Sequence, residues 1–334
     1  MHRVHVTDAL ARPLYDLRIS VTDRCNFRCV YCMPKEIFGS DFAFLRRDEL
    51  LTYEEIARVA RAFARHGVEK IRLTGGEPLL RRDLERLIEM LHVPDLTLTT
   101  NGSLLTLAKA RALKSAGLHR ITVSLDSLDD ATFRAINDAE FPVARALEAI
   151  DNADAAGLHP IKIDAVIKRG VNDRDVIDLA RRFRGTPHIM RFIEYMDVGN
   201  TNRWQADEVV PGREIVDRIN AEWPIEPAQP NYFGEVAERW RYKDGAGEIG
   251  IITSVTQPFC GSCTRARLSS NGEVFTCLFA SSGFDIRAPL RKGATDDELA
   301  EIVANVWRAR NDRYSEIRAS AGEVKKVEMF HIGG

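Results

Sequence analysis

The sequence lacks the features that mark membrane and secreted proteins. No part of its 334 residues approaches an uncharged apolar run of about 18 residues, so no membrane span is expected. The segment 1–5 has no apolar region of the kind that a signal peptide requires, so we expect a cytoplasmic protein. Internal repeats and low-complexity segments are also absent. The remaining composition, with 45% hydrophobic residues, fits a soluble enzyme of one or two domains.

The sequence also carries almost no net charge. Its formal charge is −2 and its isoelectric point is near 6.5, so nothing global indicates nucleic acid or an acidic membrane as a partner. An anionic ligand would therefore have to be held by arginine and lysine side chains that are gathered locally.

Three cysteines near the N-terminus form the most informative motif. Cys25, Cys29 and Cys32 have the spacing C-x3-C-x2-C, and Tyr31 directly precedes the third. Three thiolates can hold three irons of a [4Fe–4S] cluster, which leaves the fourth iron open to a small molecule. A zinc site would need a fourth ligand, and no histidine lies near. A disulfide would need an oxidising compartment.

A second group of cysteines follows late in the chain. Cys260, Cys263 and Cys277 have the spacing C-x2-C-x13-C, again without an obvious fourth ligand. Because C-x2-C is also the common zinc half-site, a structural zinc remains an alternative. Arg265 and Arg267 stand beside this group. Two guanidinium groups next to a metal centre favour an anionic ligand there, although they could also be solvated loop charges.

Predicted strands alternate with predicted helices through the first two thirds of the chain. The six strands are expected at 16–21, 70–74, 96–100, 120–125, 161–167 and 189–194. The helices are expected at 52–65, 83–91, 104–116, 143–156, 172–184 and 214–221, with a late one at 296–310. This alternation predicts an α/β fold of parallel βα units, as in a partial, TIM-like (β/α)6 barrel. An open doubly wound sheet gives the same local pattern.

One face of these predicted strands is polar and the other is apolar. A polar face with so many cations cannot be a dry core, so it should line a ligand cavity. Antiparallel hairpins with one face in water are the alternative, but the intervening helices oppose it. The inward cations are Arg18, Lys70, Arg72, Lys162 and Arg191, and Thr99 and Ser124 share their face.

Prolines mark a junction after the barrel. Pro224, Pro227 and Pro230 crowd a short stretch. We therefore expect two domains: residues 1–224 as the partial barrel, and 225–334 as a smaller α+β extension with the second cysteine group.

Several motifs, in their order along the chain, resemble those of one family. The first cysteine motif resembles that of the radical S-adenosylmethionine (SAM) enzymes. The further motifs resemble, within that superfamily, the GTP 3′,8-cyclases of molybdenum cofactor biosynthesis over essentially the whole chain. They are LTGGEP at 73–78, TTNG at 99–102, VSLD at 123–126, RFIEYMD at 191–197, CGSCTRAR at 260–267 and the closing Gly333-Gly334.

The resemblance implies the site residues and cofactors. Two [4Fe–4S] clusters would be held by the two cysteine groups, and SAM would bind the open iron of the first. The implied contacts of SAM are Tyr31, Gly76, Glu77, Ser124 and Met196. The open iron of the second cluster would bind the guanine of GTP, and the rest of the nucleotide would meet Arg18, Lys70, Arg72, Thr99, Lys162, Arg191, Arg265 and Arg267.

The resemblance also implies a reaction and partners. A 5′-deoxyadenosyl radical would take the C3′ hydrogen of GTP, and C3′ would then attack C8 to give 3′,8-cyclo-7,8-dihydro-GTP. A flavodoxin or ferredoxin would donate electrons, a homodimer would form, and cyclic pyranopterin monophosphate synthase would act next. Gly333 and Gly334 would enter the active site as a tail. The family usually has a Ser-Tyr-type pair where this chain has Phe330 and His331, which puts any side-chain role there in doubt.

Two other functions remain open at this point. Another radical SAM enzyme with an auxiliary cluster, such as one that modifies peptides, would share the first motif but often carries more cysteines in its C-terminal region. A non-catalytic zinc or iron–sulfur protein that binds nucleotide or RNA would not cleave SAM.

Overall fold

The computed structural model describes residues 5–320, 322 and 324–334, so most of the segment used to exclude a signal peptide lies outside it. One mixed sheet of twelve strands runs through the molecule. In chain order, β1 to β6 are Asp16–Ser20, Lys70–Thr74, Asp95–Thr100, Arg120–Ser124, Lys162–Ile167 and Ile189–Glu194. The strands β7 to β12 are Ile225–Ala228, Glu238–Tyr242, Glu248–Ile252, Arg265–Leu268, Glu273–Phe275 and Phe284–Asp285.

The first six strands are parallel and lie in chain order across the sheet. Consecutive right-handed crossovers place all their helices on one side, as in a barrel. A doubly wound sheet would instead reverse its strand order near the middle. The sheet is not closed, since its order starts at β12 and ends at β7. The expected partial (β/α)6 barrel with a C-terminal α+β extension is therefore confirmed.

The helices cover the apolar side of this sheet. In chain order, α1 to α6 are Tyr53–Ala64, Leu84–Met90, Leu107–Ser115, Asp130–Asn137, Val143–Ala155 and Val176–Phe183. The helices α7 to α11 are Gly212–Glu222, Arg287–Arg291, Asp296–Arg308, Tyr314–Ile317 and Met329–Ile332. Helix α1 begins at a capping box, in which Thr52 and Glu55 satisfy each other's backbone N–H groups. Helix α4 was not expected from the sequence.

The register of the parallel strands confirms the two faces. Arg18 lies opposite Arg72 on β2 and opposite Arg267 on β10, so cations of neighbouring strands share one face. On the other face Leu17 and Ile71 are opposite each other and fully buried in the main hydrophobic core. Antiparallel hairpins therefore do not account for the polar strand positions.

The C-terminal strands complete both edges of the parallel sheet. Strand β10 pairs with β1 and β9 pairs with β6, both in parallel. The main hydrophobic core contains side chains from both sides of residue 224, among them Ile251 and Leu268. The division at residue 224 stays a prediction, while the sheet and the core continue across it.

The described helices are all too short or too polar to cross a membrane.

Candidate functional site

One cavity is lined by nearly all of the side chains that the sequence analysis singled out. Its walls include all six cysteines, the five inward cations of the parallel strands, and both arginines of β10. Tyr31, Gly76, Thr99, Ser124, Met196 and Gly334 also line it. Glu77 and Gly333 are not among its lining residues. The topology therefore gathers into one space residues that lie far apart in the sequence.

The first cysteine loop follows the end of β1 and rests on helix α4. The backbone N–H groups of Arg28 and Val30 donate to the carbonyls of Asn137 and Ile136, at 2.9 and 3.0 Å. These carbonyls belong to the last turn of α4, where they have no partner inside the helix. Helix α4, which the sequence analysis missed, therefore supports the loop of the first cysteine group.

The cysteines of this loop are partly buried and form no disulfide. Burial raises the pKa of Cys25 to about 11, and the nearby carboxylate of Glu77 adds to the effect. Burial also raises the pKa of Cys29, and the neighbouring Cys25 contributes. A metal centre would stabilise these thiolates, because metal binding replaces their protons.

Tyr31 is anchored by an aspartate that the sequence analysis did not single out. The Tyr31 hydroxyl donates to Asp126 at 2.8 Å, and the other carboxylate oxygen of Asp126 accepts from the N–H of Val166 at 2.8 Å. Burial raises the pKa of Asp126 to about 6. The VSLD motif at the end of β4 thus fixes the residue that precedes Cys32.

The GGEP turn packs directly against the first cysteine loop. Gly76 donates its N–H to the carbonyl of Thr22 at 2.8 Å, and a Cβ at Gly76 would lie 2.3 Å from the carbonyl oxygen of Arg24. Only glycine permits so close an approach of two backbones. The carboxylate of Glu77 is fully buried and accepts from Leu79 N, Thr100 Oγ1 and Asn101 N at 2.8–2.9 Å. Its expected contact with SAM stays a prediction, while its role in closing this turn is evident.

Three inward cations have no carboxylate within 4 Å among the described residues. These are Arg18, Arg72 and Lys162. Burial lowers the pKa of Lys162 to about 6, and the charge of Arg191 adds to the effect. Burial likewise lowers the pKa of Arg18, with Arg267 as the next cause. These cations therefore disfavour one another's charged forms, and an anionic ligand would relieve this effect.

Two other inward cations are paired with aspartates that the sequence analysis did not predict as partners. Arg191 makes a two-pronged ion pair with Asp164, with both N–O distances at 2.6 Å. Lys70 lies 3.4 Å from Asp16 and donates to the hydroxyl of Tyr232. The position of Asp164 on the same strand face as Lys162 was a usable signal for the first pair.

Tyr232 also lines the cavity, and nothing in the sequence pattern indicated it. Its ring stacks on Tyr15 with 5.5 Å between the ring centres. It comes from the loop between β7 and β8, so only the folded chain brings it to Lys70.

The second cysteine group is electrostatically different from the first. Burial alone would raise the pKa of Cys263, but the guanidinium groups of Arg265 and Arg310 lower it to about 6. The Arg265 guanidinium donates to the Cys263 sulfur at 3.1 and 3.3 Å. Burial raises the pKa of Cys277 to about 11. Cys263 is therefore better prepared than Cys277 to bind a metal as a thiolate.

Neither cysteine group fits a single metal ion. Within the described ranges, no three histidine, cysteine, aspartate or glutamate side chains converge closely enough to hold one ion. In a [4Fe–4S] cluster each thiolate binds a different iron, so the ligands stand further apart than those of one ion. The donor sets thus fit clusters better than the zinc alternative.

Four buried polar atoms of residues that line the cavity have no hydrogen-bond partner among the described residues. They are the Oδ1 of Asp16, the Nε of Arg18, the Oγ1 of Thr99 and the Nδ2 of Asn137. Because buried polar groups are normally hydrogen-bonded, these atoms indicate a polar ligand or water in the cavity.

The C-terminal residues reach into the same region. Arg267 donates to the carbonyl oxygen of Gly333, and Gly334 lines the cavity. Gly333 has φ of +75°, and a Cβ there would lie 2.2 Å from the hydroxyl of Thr74. Phe330 packs edge-on against Phe38 at 5.0 Å between ring centres. The side chain before Ile332, His331, lies 3.6 Å from Glu273.

The sequence of the chain is similar to those of two described families and of several known proteins. A family model described as Radical SAM superfamily matches residues 19–183, and one described as Molybdenum Cofactor Synthesis C matches residues 188–316. The GTP 3′,8-cyclase of Acidothermus cellulolyticus is 60% identical, over 98% of this chain and 99% of that protein. The GTP 3′,8-cyclase of Staphylococcus saprophyticus is 49% identical over the same shares of the two chains.

Among solved structures, Streptococcus suis SuiB bound to S-adenosylmethionine superimposes with a TM-score of 0.62. It is 16% identical and covers 96% of this chain and 72% of that chain. At this identity the likeness supports the fold alone.

Proposed function

Because the chain belongs to the GTP 3′,8-cyclase family of radical SAM enzymes, we propose that it converts GTP to 3′,8-cyclo-7,8-dihydro-GTP. This reaction is the first step of molybdenum cofactor biosynthesis. The observation that carries the proposal is the single cavity lined by two groups of three cysteines and by eight lysine and arginine side chains.

The two thiol groups lie near opposite ends of the strands that carry the cations. The first group follows the C-terminal end of β1, and Cys263 comes two residues before β10, which runs parallel to β1. A five-residue strand such as β1 is roughly 15 Å long. A ligand between the two clusters would therefore lie along the face that carries Arg18, Arg72 and Arg267.

The residues of this chain bind and orient the two small molecules. Cys25, Cys29 and Cys32 would hold the cluster that binds SAM, with Tyr31, Gly76, Ser124 and Met196 around SAM and Glu77 behind the turn. Cys260, Cys263 and Cys277 would hold the second cluster, against which guanine binds. When bound, the first cluster would supply the electron for the reductive cleavage of SAM. The C3′ hydrogen of GTP would then pass to the 5′-deoxyadenosyl radical, C3′ would bond to C8, and a second electron with a proton would complete the 7,8-dihydro product.

The cations account for the triphosphate. Arg18, Arg72 and Lys162 have no acidic partner within 4 Å in the described structure, so they are available to phosphate oxygens. Charge-assisted hydrogen bonds contribute about 1.5–3 kcal/mol each. Three of them give roughly 5–9 kcal/mol before ordering costs, on the scale of a micromolar dissociation constant. Lys70, Arg191, Thr99, Arg265 and Arg267 would complete the nucleotide contacts.

The partners follow from the same proposal. The reaction needs a low-potential electron, for which a flavodoxin or ferredoxin is the expected donor. Cyclic pyranopterin monophosphate synthase would take the product. A homodimer in the cytoplasm is the expected state.

An anaerobic assay tests the function. The clusters are reconstituted, SAM and dithionite are added, and 5′-deoxyadenosine is quantified with GTP, with ATP and with no nucleotide. Formation that depends on GTP and fails with ATP supports the proposal. Cleavage of SAM that is indifferent to GTP would keep a radical SAM enzyme and discard the cyclase. Absence of cleavage despite intact clusters would favour a non-catalytic protein.

A further inference from the structure

A short segment before the C-terminal glycines is fixed on two sides. We call residues 326–328 the strap. On one side, the N–H of Val327 donates to the carbonyl of Ala280 at 2.9 Å, three residues after Cys277. On the other side, the strap lies against the loop 197–201, which follows Met196 at the end of β6. The strap lies beyond both regions that the family models match, 19–183 and 188–316.

The lysine of the strap is held by a buried carboxylate. The Lys326 ammonium donates to the Asp197 carboxylate at 2.6 Å and to the Asp197 carbonyl at 2.7 Å. The two side chains are only 8% and 12% exposed, so solvent screens this pair weakly. The same ammonium lies 4.6 Å from the ring centre of Tyr314, a cation–π distance.

The glutamate of the strap is held by the other end of the same loop. The Glu328 carboxylate accepts from the N–H of Asn200 at 3.0 Å and from the hydroxyl of Thr201 at 3.2 Å. The Asn200 side chain also pairs with the backbone of Lys326, accepting from its N–H at 2.8 Å and donating to its carbonyl. Gly199 has φ of +64°, and a Cβ there would lie 2.0 Å from Glu328 Oε2.

These contacts are specific in register. A shift of the strap by one residue would exchange Lys326 for Val327 at Asp197 and leave a buried carboxylate without its lysine. It would also bring Met329 to the N–H of Asn200, which it cannot satisfy. The strap therefore holds one position along the chain, and the five residues after Met329 follow from it.

The position of the strap determines what the last residues reach. Helix α11 starts at Met329, directly after Glu328, and places Phe330 on Met33 and Phe38 beside the first cysteine loop. One residue after this helix, the carbonyl of Gly333 accepts from Arg267. The stretch of chain between Glu328 and Gly333 is too short to compensate for a shift of the strap by one residue.

We propose that Lys326 and Glu328 are positioning residues that clamp the strap on the loop 197–201 and so place Gly333 against Arg267 for GTP turnover. This inference rests on the proposed function for its effect on turnover. Whether Lys326 and Glu328 hold the C-terminal tail in place can be tested without measuring activity.

The test compares the double variant K326A/E328A with the wild type as full-length, cluster-loaded protein. Each lost charge-assisted contact should shift the equilibrium toward an undocked tail by about 10- to 100-fold. We expect faster hydrogen exchange in peptides that cover 327–334, measured by mass spectrometry. We also expect kcat for GTP turnover to fall at least 10-fold while the dissociation constant of GTP changes less than threefold.

Two kinds of variant serve as controls. Lys325 is exposed and has no ion-pair partner in the described structure, so K325A removes the same charge one residue away and should leave both readouts unchanged. The conservative variant K326R keeps a cation within reach of Asp197 and should retain most of the turnover. The variant G199A disturbs the same contact from the side of the loop 197–201, because its new Cβ would displace the Glu328 carboxylate.

The outcomes separate cleanly. Unchanged tail exchange in K326A/E328A would overturn the clamp, and faster exchange with unchanged kcat would overturn its role in turnover. If the double variant does not fold, faster exchange confined to 327–334 in G199A would support the clamp and unchanged exchange would overturn it. A wild type without GTP-dependent formation of 5′-deoxyadenosine would refute the proposed function, while the exchange result would still decide the clamp.

Discussion

Lys162 offers a test of how the cations in the cavity respond to an anionic ligand. Burial, and secondly the charge of Arg191, lowers the pKa of Lys162 to about 6. In the free protein at pH 7, Lys162 is therefore mostly in its neutral form. A bound triphosphate favours the charged form, so we expect GTP binding at pH 7 to take up a proton and to weaken as pH rises above about 6. Titration calorimetry in two buffers with different ionisation enthalpies measures the uptake.

The variant K162R is the matched control for this uptake. Arginine stays charged at all relevant pH values, so it keeps the contact but cannot take up a proton on binding. Protons that the nucleotide itself gains or loses affect both proteins equally. Equal uptake by wild type and K162R would contradict the assignment of Lys162 to the phosphates.

Arg265 is expected to matter for the second cluster before it matters for the nucleotide. Its guanidinium donates to the Cys263 sulfur and helps to lower the pKa of Cys263 to about 6. Removal of such a supporting contact typically weakens metal affinity by about 10–100-fold. We expect R265A to keep the first cluster, to lose iron from the second and to turn over GTP poorly.

The iron content and the absorbance of reconstituted R265A measure this loss. R265K retains a cation near the sulfur and should hold more iron than R265A. Full iron content with normal GTP turnover in R265A would contradict the role of Arg265.

At the residue scale the sequence indicated which side chains line the cavity, but not which of them form ion pairs with one another. The cysteine spacings and the alternation of cations along the strands were sufficient to single out the cysteines and the basic side chains that line the cavity. Two of the expected free cations are paired, because Asp16 and Asp164 lie across the register from Lys70 and Arg191. Register between strands distant in sequence cannot be read from either strand alone.

At the scale of elements, Glu194 at the end of β6 connects three parts of the chain. Its carboxylate accepts from the N–H of Gly212 at 2.7 Å, where α7 begins, and from those of Val255 and Thr256 at 2.8 and 2.9 Å, after β9. Glu194 is fully buried. Its removal would leave several buried donors unpaired, each at about 1–3 kcal/mol.

We therefore expect E194A to lose about 3 kcal/mol or more of unfolding free energy in urea titrations. E194Q keeps one acceptor oxygen in the same shape and should lose less than half as much. A loss below about 1 kcal/mol in E194A would show that water satisfies these donors instead.

Between residues 16 and 222 the elements were largely predictable, with two exceptions, whereas no positions were predicted for β7 to β12. The ends of β2 and β6 agree with the sequence analysis because hydrophobic alternation and flanking glycines mark them. Helix α4, DATFRAIN, was missed because it is a short helix in the connection between the predicted strand at 120–125 and the predicted helix at 143–156. The expected helix at 172–184 begins as a turn of 3-10 helix at Asp173–Asp175 and becomes α-helical at Val176.

At the scale of the whole molecule, the sheet predicts the fate of a truncated chain. A fragment of residues 1–224 would leave β1 and β6 as exposed edges, since β10 and β9 would be gone. Exposed edges of parallel strands with a buried apolar face promote aggregation. We expect this fragment to be aggregated in size-exclusion chromatography and to lack a cooperative unfolding transition.

The complementary experiment co-expresses residues 1–224 and 225–334 as separate chains. We expect the two fragments to associate, because each side supplies strands that the other needs. A monomeric, cooperatively folding 1–224 fragment would instead support the two-domain division at the proline-rich junction.

The pairing of β1 with β10 also has a consequence for biosynthesis on the ribosome. About 245 residues separate Ser20 from Arg265. One edge of β1 therefore stays unpaired while most of the chain is still being made. At typical translation rates this interval is roughly 10–50 s. During it the first three cysteines have already emerged beside an unfinished sheet, so these thiols are made long before β10 can pair with β1.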